Sequence, residues 1–217
     1  MKAIIELHYL PSIAYFSSLC SVEKIIIEKH EHFVKQSYRN RCHILTVQGV
    51  ERLVIPLTSK SARMNRSDRH GKVLITDVRI DCTQKWLNNH WRTIESAYRN
   101  APFFEFYADD LHKILFRQHT FLYDLNFELL TICLKWLKLD VTLQESMAYE
   151  KIPADGVLDM RNVIHAKKPE QYAIYFQPIA YPQVFGNTFA EGLSLVDLVF
   201  CEGPESRKVV ALSAKPH

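Results

Sequence analysis

The sequence predicts an α/β (or α+β) protein: a mixed sheet with an N-terminal β-α-β unit and a hairpin, followed by a mainly helical region. Three observations carry this. Two short apolar runs, within residues 2–8 and at Lys24-Ile25-Ile26-Ile27-Glu28, flank a helix-like segment. Two further strand-like runs, 42–47 and 52–57, face each other across Gln48-Gly49. From 83 to 138 the apolar residues then recur with helical spacing. At 217 residues, 47% apolar and 12% aromatic, the chain can bury one sizeable core. We read 1–217 as a single domain, with sub-lobes at 1–82 (mainly sheet), 83–140 (helical) and 141–217 (mixed).

Each element has its own justification. Pro11 stands near the first turn of a helix, where its missing N–H costs nothing, and Ile13, Tyr15, Phe16 and Leu19 continue it to about Cys20. The run 24–28 is short and continuously apolar, as a buried strand should be, and the strand-helix-strand order suggests a parallel pair. Residues 41–57 form the hairpin. Thr58 to Lys72 is polar without an apolar period and reads as a mobile loop, either a lid over an anion or a solvated segment. Val73 to Ile80 returns to a strand pattern.

Thr83 can cap a helix that runs to about Asn100, with Trp86, His90, Ile94, Ala97 and Tyr98 on one face. His90 on that stripe reads as a core histidine. Helices follow at 108–117 and 121–138. In the last third, 141–143 is a candidate strand, 144–170 is polar, and Leu193 to Phe200 is a closing helix stopped by Glu202-Gly203-Pro204.

Composition narrows the function. Five scattered cysteines without a CxxC pair argue against a disulfide scaffold or a thiolate zinc site and fit a reducing compartment. Glu6 and His8 interrupt the first apolar run, so it cannot serve as a signal-peptide core, and no uninterrupted span approaches membrane length. A cytoplasmic protein is expected. Between residues 29 and 72, ten cations against three acids leave +7, whereas the whole chain carries +3 and the remainder therefore −4. Such a patch attracts phosphate or carboxylate ligands.

The candidate site residues come from the strand ends. His8, between the first strand and a helix start, is placed to act as a general base or phosphate contact. Lys35, Arg39 and Arg41 flank Asn40, and on an extended segment Arg39 and Arg41 would share a face suited to bidentate recognition of a diphosphate. Tyr15 would orient the substrate beside Asn40. Tyr38, His90 and Glu28 are secondary candidates. Glu28, His30 and His32 alternate, but the pattern is too weak to assign a metal, and neighbouring Cys42-His43 point to opposite sides of a strand. No Gly-x-Gly-x-x-Gly, Walker loop, Gly-x-Ser-x-Gly or His-Glu-x-x-His motif occurs, and no cofactor is assigned.

Taken together, His8-Tyr9-Leu10-Pro11, Tyr38-Arg39-Asn40-Arg41, Val54-Ile55-Pro56, the Trp86/His90/Tyr98 helix with Ala101-Pro102-Phe103, and the ending from Phe185 to Phe200 resemble the WbqC-like family, in the form seen in Bacteroides and relatives. Where many members open with Gln-Pro, this chain has Leu7-His8. The resemblance implies a bacterial cytosolic transferase of O-antigen type surface-polysaccharide biosynthesis, acting on a nucleotide-linked sugar or carrying a small acyl or aminoacyl group to one.

The leading expectation is thus a phosphorylated or nucleotide-linked small molecule in a basic pocket, with His8 as acid or base. Arg39→Ala is then expected to weaken ligand binding more than the fold. The rival is a non-catalytic protein docking on nucleic acid or an acidic partner through 29–72. Cations that alternate with apolar strand residues favour a pocket over an exposed nucleic-acid face.

Overall fold

The computed structural model describes residues 1–62, 73–165 and 168–215. Its sheet is parallel. Strands β1 (Lys2–Ile5) and β2 (Lys24–Ile27) are joined through helix α1 (Ile13–Ser17), as the two isoleucine runs and Pro11 predict. Ser12 caps α1 through its hydroxyl, which accepts from the Tyr15 N–H. Two more strands come from the last third, β5 (Thr142–Glu145) and β6 (Val157–Asp159), giving the order β5-β2-β1-β6 with every pair parallel. β6 lies inside the stretch read as merely polar.

The hairpin is a separate two-stranded sheet, β3 (Arg41–Thr46) with β4 (Gly49–Val54), in antiparallel register Arg41↔Val54, His43↔Arg52. Its turn is Val47-Gln48, with Gly49 at positive φ opening β4. A single turn, α2 (Ser59–Ala62), begins the segment expected to be a loop; residues 63–72, where the lid was sought, lie outside the described residues.

The long helices are α3 (Trp86–Tyr98), α4 (Phe104–Leu115) and α5 (Leu122–Trp136). α4 starts earlier than the 108–117 expected and takes in Phe104, Phe106 and Tyr107. Phe104 and Tyr98 pack on Phe200 at ring distances of 5.1 and 5.3 Å. A short turn, α6 (Pro169–Tyr172), precedes α7 (Leu195–Glu202) and α8 (Ser206–Leu212).

Three further expectations are corrected. Val73–Ile80 is not a strand: it forms a 3-10 turn at Ile75–Asp77 and isolated bridges to His32, Leu57 and Phe121. Thr83 does not cap α3: the helix begins at Trp86 behind Lys85, and the Thr83 hydroxyl and N–H both donate to Asp81 instead. α7 does not close the chain; Gly203, at positive φ and packed against Phe103, turns the backbone into α8.

Candidate functional site

All four parallel strands deliver polar residues to one edge. Glu6, Glu28 and Ser146 follow β1, β2 and β5, and Arg161 and Asn162 follow β6. β1 lies between β2, to which the chain runs directly, and β6, which it reaches only from β5. The crevice between β1 and β6 is therefore the point where α/β sheets bind ligands.

The charges at this edge are buried and matched. Arg39, 1% exposed, holds Glu31 through Nε (2.8 Å) and Nη2, donates from Nη2 to Asn162 Oδ1 (2.9 Å), and keeps Nη1 3.6 Å from Glu6 Oε1. Asn126 donates to the Arg39 carbonyl at 2.7 Å. Glu28 accepts from the His30 N–H, the Ser146 hydroxyl (2.7 Å) and Arg161 Nη1 (3.0 Å). Arg161 also holds Asp159 and lies over the Tyr149 ring.

Glu6 and His8 form a dyad inside this network. Glu6 Oε1 lies 3.1 Å from His8 Nε2, and Oε2 accepts the Asn162 N–H at 2.9 Å. Burial opposes the Glu6 charge, but Arg39 and His8 outweigh it and hold the carboxyl at about 2. An ionised carboxylate only accepts, so His8 Nε2 carries the proton. Burial lowers the His8 pKa, with Arg39 opposing the second proton, so the ring stays neutral. Its Nδ1 is buried and has no hydrogen-bond partner. Leu10, at φ 42° in the left-handed region, makes the sharp exit between His8 and α1.

The His8 ring meets Tyr15 (5.0 Å) and Tyr38 (5.5 Å), and Tyr38 meets His43 at 5.7 Å. Tyr38 and His43 line a hollow of about 450 Å³ together with Glu170, Tyr172, Phe176 and Glu191. The backbone fixes its rim: Ser194 N–H donates to the His43 carbonyl and Tyr9 N–H to that of Tyr38. The hairpin register places Arg41, His43 and Arg52 on one face. Burial and the two guanidinium groups push the His43 pKa down. Among the described residues neither Arg41 nor Arg52 has a carboxylate partner, and Arg41 Nε is buried without a hydrogen bond.

A family model described as the WbqC-like protein family matches residues 7–172. The chain belongs to this family. A Mycobacterium tuberculosis relative printed as "Uncharacterized protein Rv1507c" is 35% identical over 155 residues, covering 71% of this chain. The chain spans 62% of that relative's length. No solved structure matches. The family-matched stretch contains Glu6's partner His8, Arg39, the hairpin and β6; the wall of the hollow from Ala173 to Gly192 lies beyond it.

The sequence-derived residues therefore divide. His8, Arg39, Tyr15 and Tyr38 lie together, but not on an extended segment: Tyr38–Asn40 is a 3-10 turn started by Ser37, so Arg39 and Arg41 belong to different elements. Tyr15 is buried and donates its hydroxyl to the Glu6 carbonyl at 2.9 Å. Asn40 donates to the Ile55 carbonyl at 2.9 Å, with its own Oδ1 unpartnered. Lys35 is exposed and does not line the hollow. His90 is a core residue: Nδ1 meets the Tyr9 hydroxyl at 3.0 Å and the ring bonds the Val54 backbone.

Sequence reasoning missed Glu6, Glu31, Asn162 and His43. Glu6 had a readable signal, since a Glu-x-His at a strand end puts both side chains on one side. Glu31 and Asn162 had none, because their contacts to Arg39 span 8 and 123 residues without a motif. Among the described residues no group of three His, Cys, Asp or Glu is arranged to hold a metal, and no helix is long and apolar enough to cross a membrane.

Proposed function

We propose that the protein is a group-transfer enzyme for a phosphorylated or nucleotide-linked small molecule, with His8 as general base and the hollow beside the hairpin as the binding site. The observation that carries this reading is the Glu6–His8 dyad: a buried carboxylate fixes the protonated Nε2 and leaves Nδ1 with an open lone pair. That is the arrangement in which a carboxylate orients an imidazole to take a proton from a nucleophile. Arg41 and Arg52 supply the phosphate contact through unmatched guanidinium groups, which recognise such oxygens in bidentate fashion. A volume near 450 Å³ suits a ligand of this size. Because His8 is closed off from solvent, the reading requires Tyr38, in ring contact with both His8 and the hollow-lining His43, to turn aside as substrate enters.

Membership of the WbqC-like family supports placing the transfer in O-antigen type polysaccharide assembly. Five free cysteines suit the cytoplasm as its site. The test is titration calorimetry of wild type and Arg41→Ala against pyrophosphate and a panel of nucleotide sugars, followed by turnover assays with His8→Asn on whichever compound binds. Binding that weakens about tenfold in Arg41→Ala, and turnover lost in His8→Asn with affinity retained, are expected. Equal affinity in both proteins would remove the phosphate site, and undiminished turnover in His8→Asn would remove the base.

A further inference from the structure

The lining of the hollow combines groups of different character. His43 stands in it, and Arg41 and Arg52, which do not themselves line it, lie close enough to push the His43 pKa down. Glu170 and Glu191, both exposed, line it around the Tyr172 ring, whose pKa is raised by burial and then by these two carboxylates. Among the described residues neither glutamate has an ion-pair or hydrogen-bond partner.

We infer that this acidic, aromatic wall receives a protonated amine, so that the substrate is an amine-bearing sugar phosphate or its nucleotide-linked form. This rests on the reading of Arg41 and Arg52 as the phosphate end. Two features point to the amine. An ammonium is attracted both by carboxylates and by the faces of aromatic rings, and Tyr172, Phe176 and Tyr38 line the same hollow as the two glutamates. A sugar ring presents apolar C–H faces to such aromatics while its charged substituents reach opposite ends. A second phosphate at this wall is disfavoured, because Glu170 and Glu191 would repel it.

The arrangement also suits the proposed chemistry. An amine held as its ammonium is not a nucleophile; it becomes one when a proton leaves nitrogen, and the neutral His8 Nδ1 is a base that can accept it. In an acyl transfer the ammonium would first lose one proton to His8 Nδ1, and the freed nitrogen lone pair would form the new bond to the acyl carbon. The donor's leaving group would depart with its electron pair and take the second proton from the acylated nitrogen.

The experiment is calorimetric titration with glucosamine 1-phosphate and with glucose 1-phosphate, which differ only in replacing a hydroxyl by an ammonium. Wild type should bind the amino compound about tenfold more tightly, the combined scale of one exposed ion pair and one cation–π contact. In the double variant Glu170→Gln, Glu191→Gln that preference should vanish while glucose 1-phosphate binds as before. Arg41→Ala should weaken both ligands alike. Equal wild-type affinities, with both weakened by Arg41→Ala, would overturn the amine site and leave the phosphate site standing. Binding of neither compound would overturn the phosphate reading and the amine inference with it.

Discussion

The edge of the parallel sheet and the hollow beside the hairpin are both rich in charge, yet they handle it in opposite ways. At the sheet edge Arg39, Glu31, Glu6, Glu28 and Arg161 are buried and mutually paired. In and beside the hollow Arg52, Glu170 and Glu191 are exposed and Arg41 is half-buried, and among the described residues none of the four has an ion-pair partner. The difference follows from solvation. A buried charge must find its partner within the fold, because desolvation alone would expel it. A charge at a hollow's rim stays solvated and remains available to a ligand. His8 joins the two regions, with Nε2 bound into the matched network and Nδ1 left open.

The largest expected effect is at Arg39. Replacing it with Met strands Glu31 and Glu6 in the interior and should cost about 3–5 kcal/mol, read as a lowered denaturation midpoint. This reverses the order expected from sequence, in which ligand binding would suffer more than the fold. Full stability in Arg39→Met would collapse the distinction between the regions.

A fully satisfied imidazole gives the next effect. Burial lowers the His90 pKa to about 4 from 6.5, so the unfolded chain takes up a proton that the folded one refuses. Its contribution is whole above pH 6.5 and is lost as pH falls toward 4, a decline of about 3 kcal/mol. Urea titrations across that window should show the slope, and His90→Gln should flatten it.

Arg41→Ala and Arg52→Ala should each leave stability within about 0.5 kcal/mol of wild type, because neither breaks an internal pair. Each should nonetheless weaken pyrophosphate binding about tenfold. The smallest effect belongs to Lys29, whose ion pair with Glu145 at 2.8 Å is half open to solvent. Lys29→Ala should cost about 0.2–1 kcal/mol and fade in high salt.

What could be read in advance follows the range of the interactions. The isoleucine runs, Pro11 and the alternation around Gln48-Gly49 are local patterns, and they located β1, β2, α1 and the hairpin. β6 escaped because Val157-Leu158-Asp159 is too short to show a period, and its strand character comes from pairing with β1, more than 150 residues earlier. Val73–Ile80 carried β-branched residues that serve a coil packed against α5 instead. At the sheet edge, the place of His8 after β1 followed from the apolar run before it and Pro11 behind it, whereas Tyr38 was singled out with the cationic run beside it. Arg39 looked like a ligand contact because a sequence shows a guanidinium but not the distant carboxylate that occupies it. His43 was set aside by a face-alternation argument against Cys42, although the same alternation puts it on the Arg41 and Arg52 side.

The imidazole nitrogens of His8 give the most direct test, read by 15N NMR at neutral pH and on acidification. The account predicts a neutral ring at pH 7 with the proton on Nε2 and a bare Nδ1, persisting below the ordinary histidine pKa. A proton on Nδ1, or an imidazolium at pH 7, would contradict it.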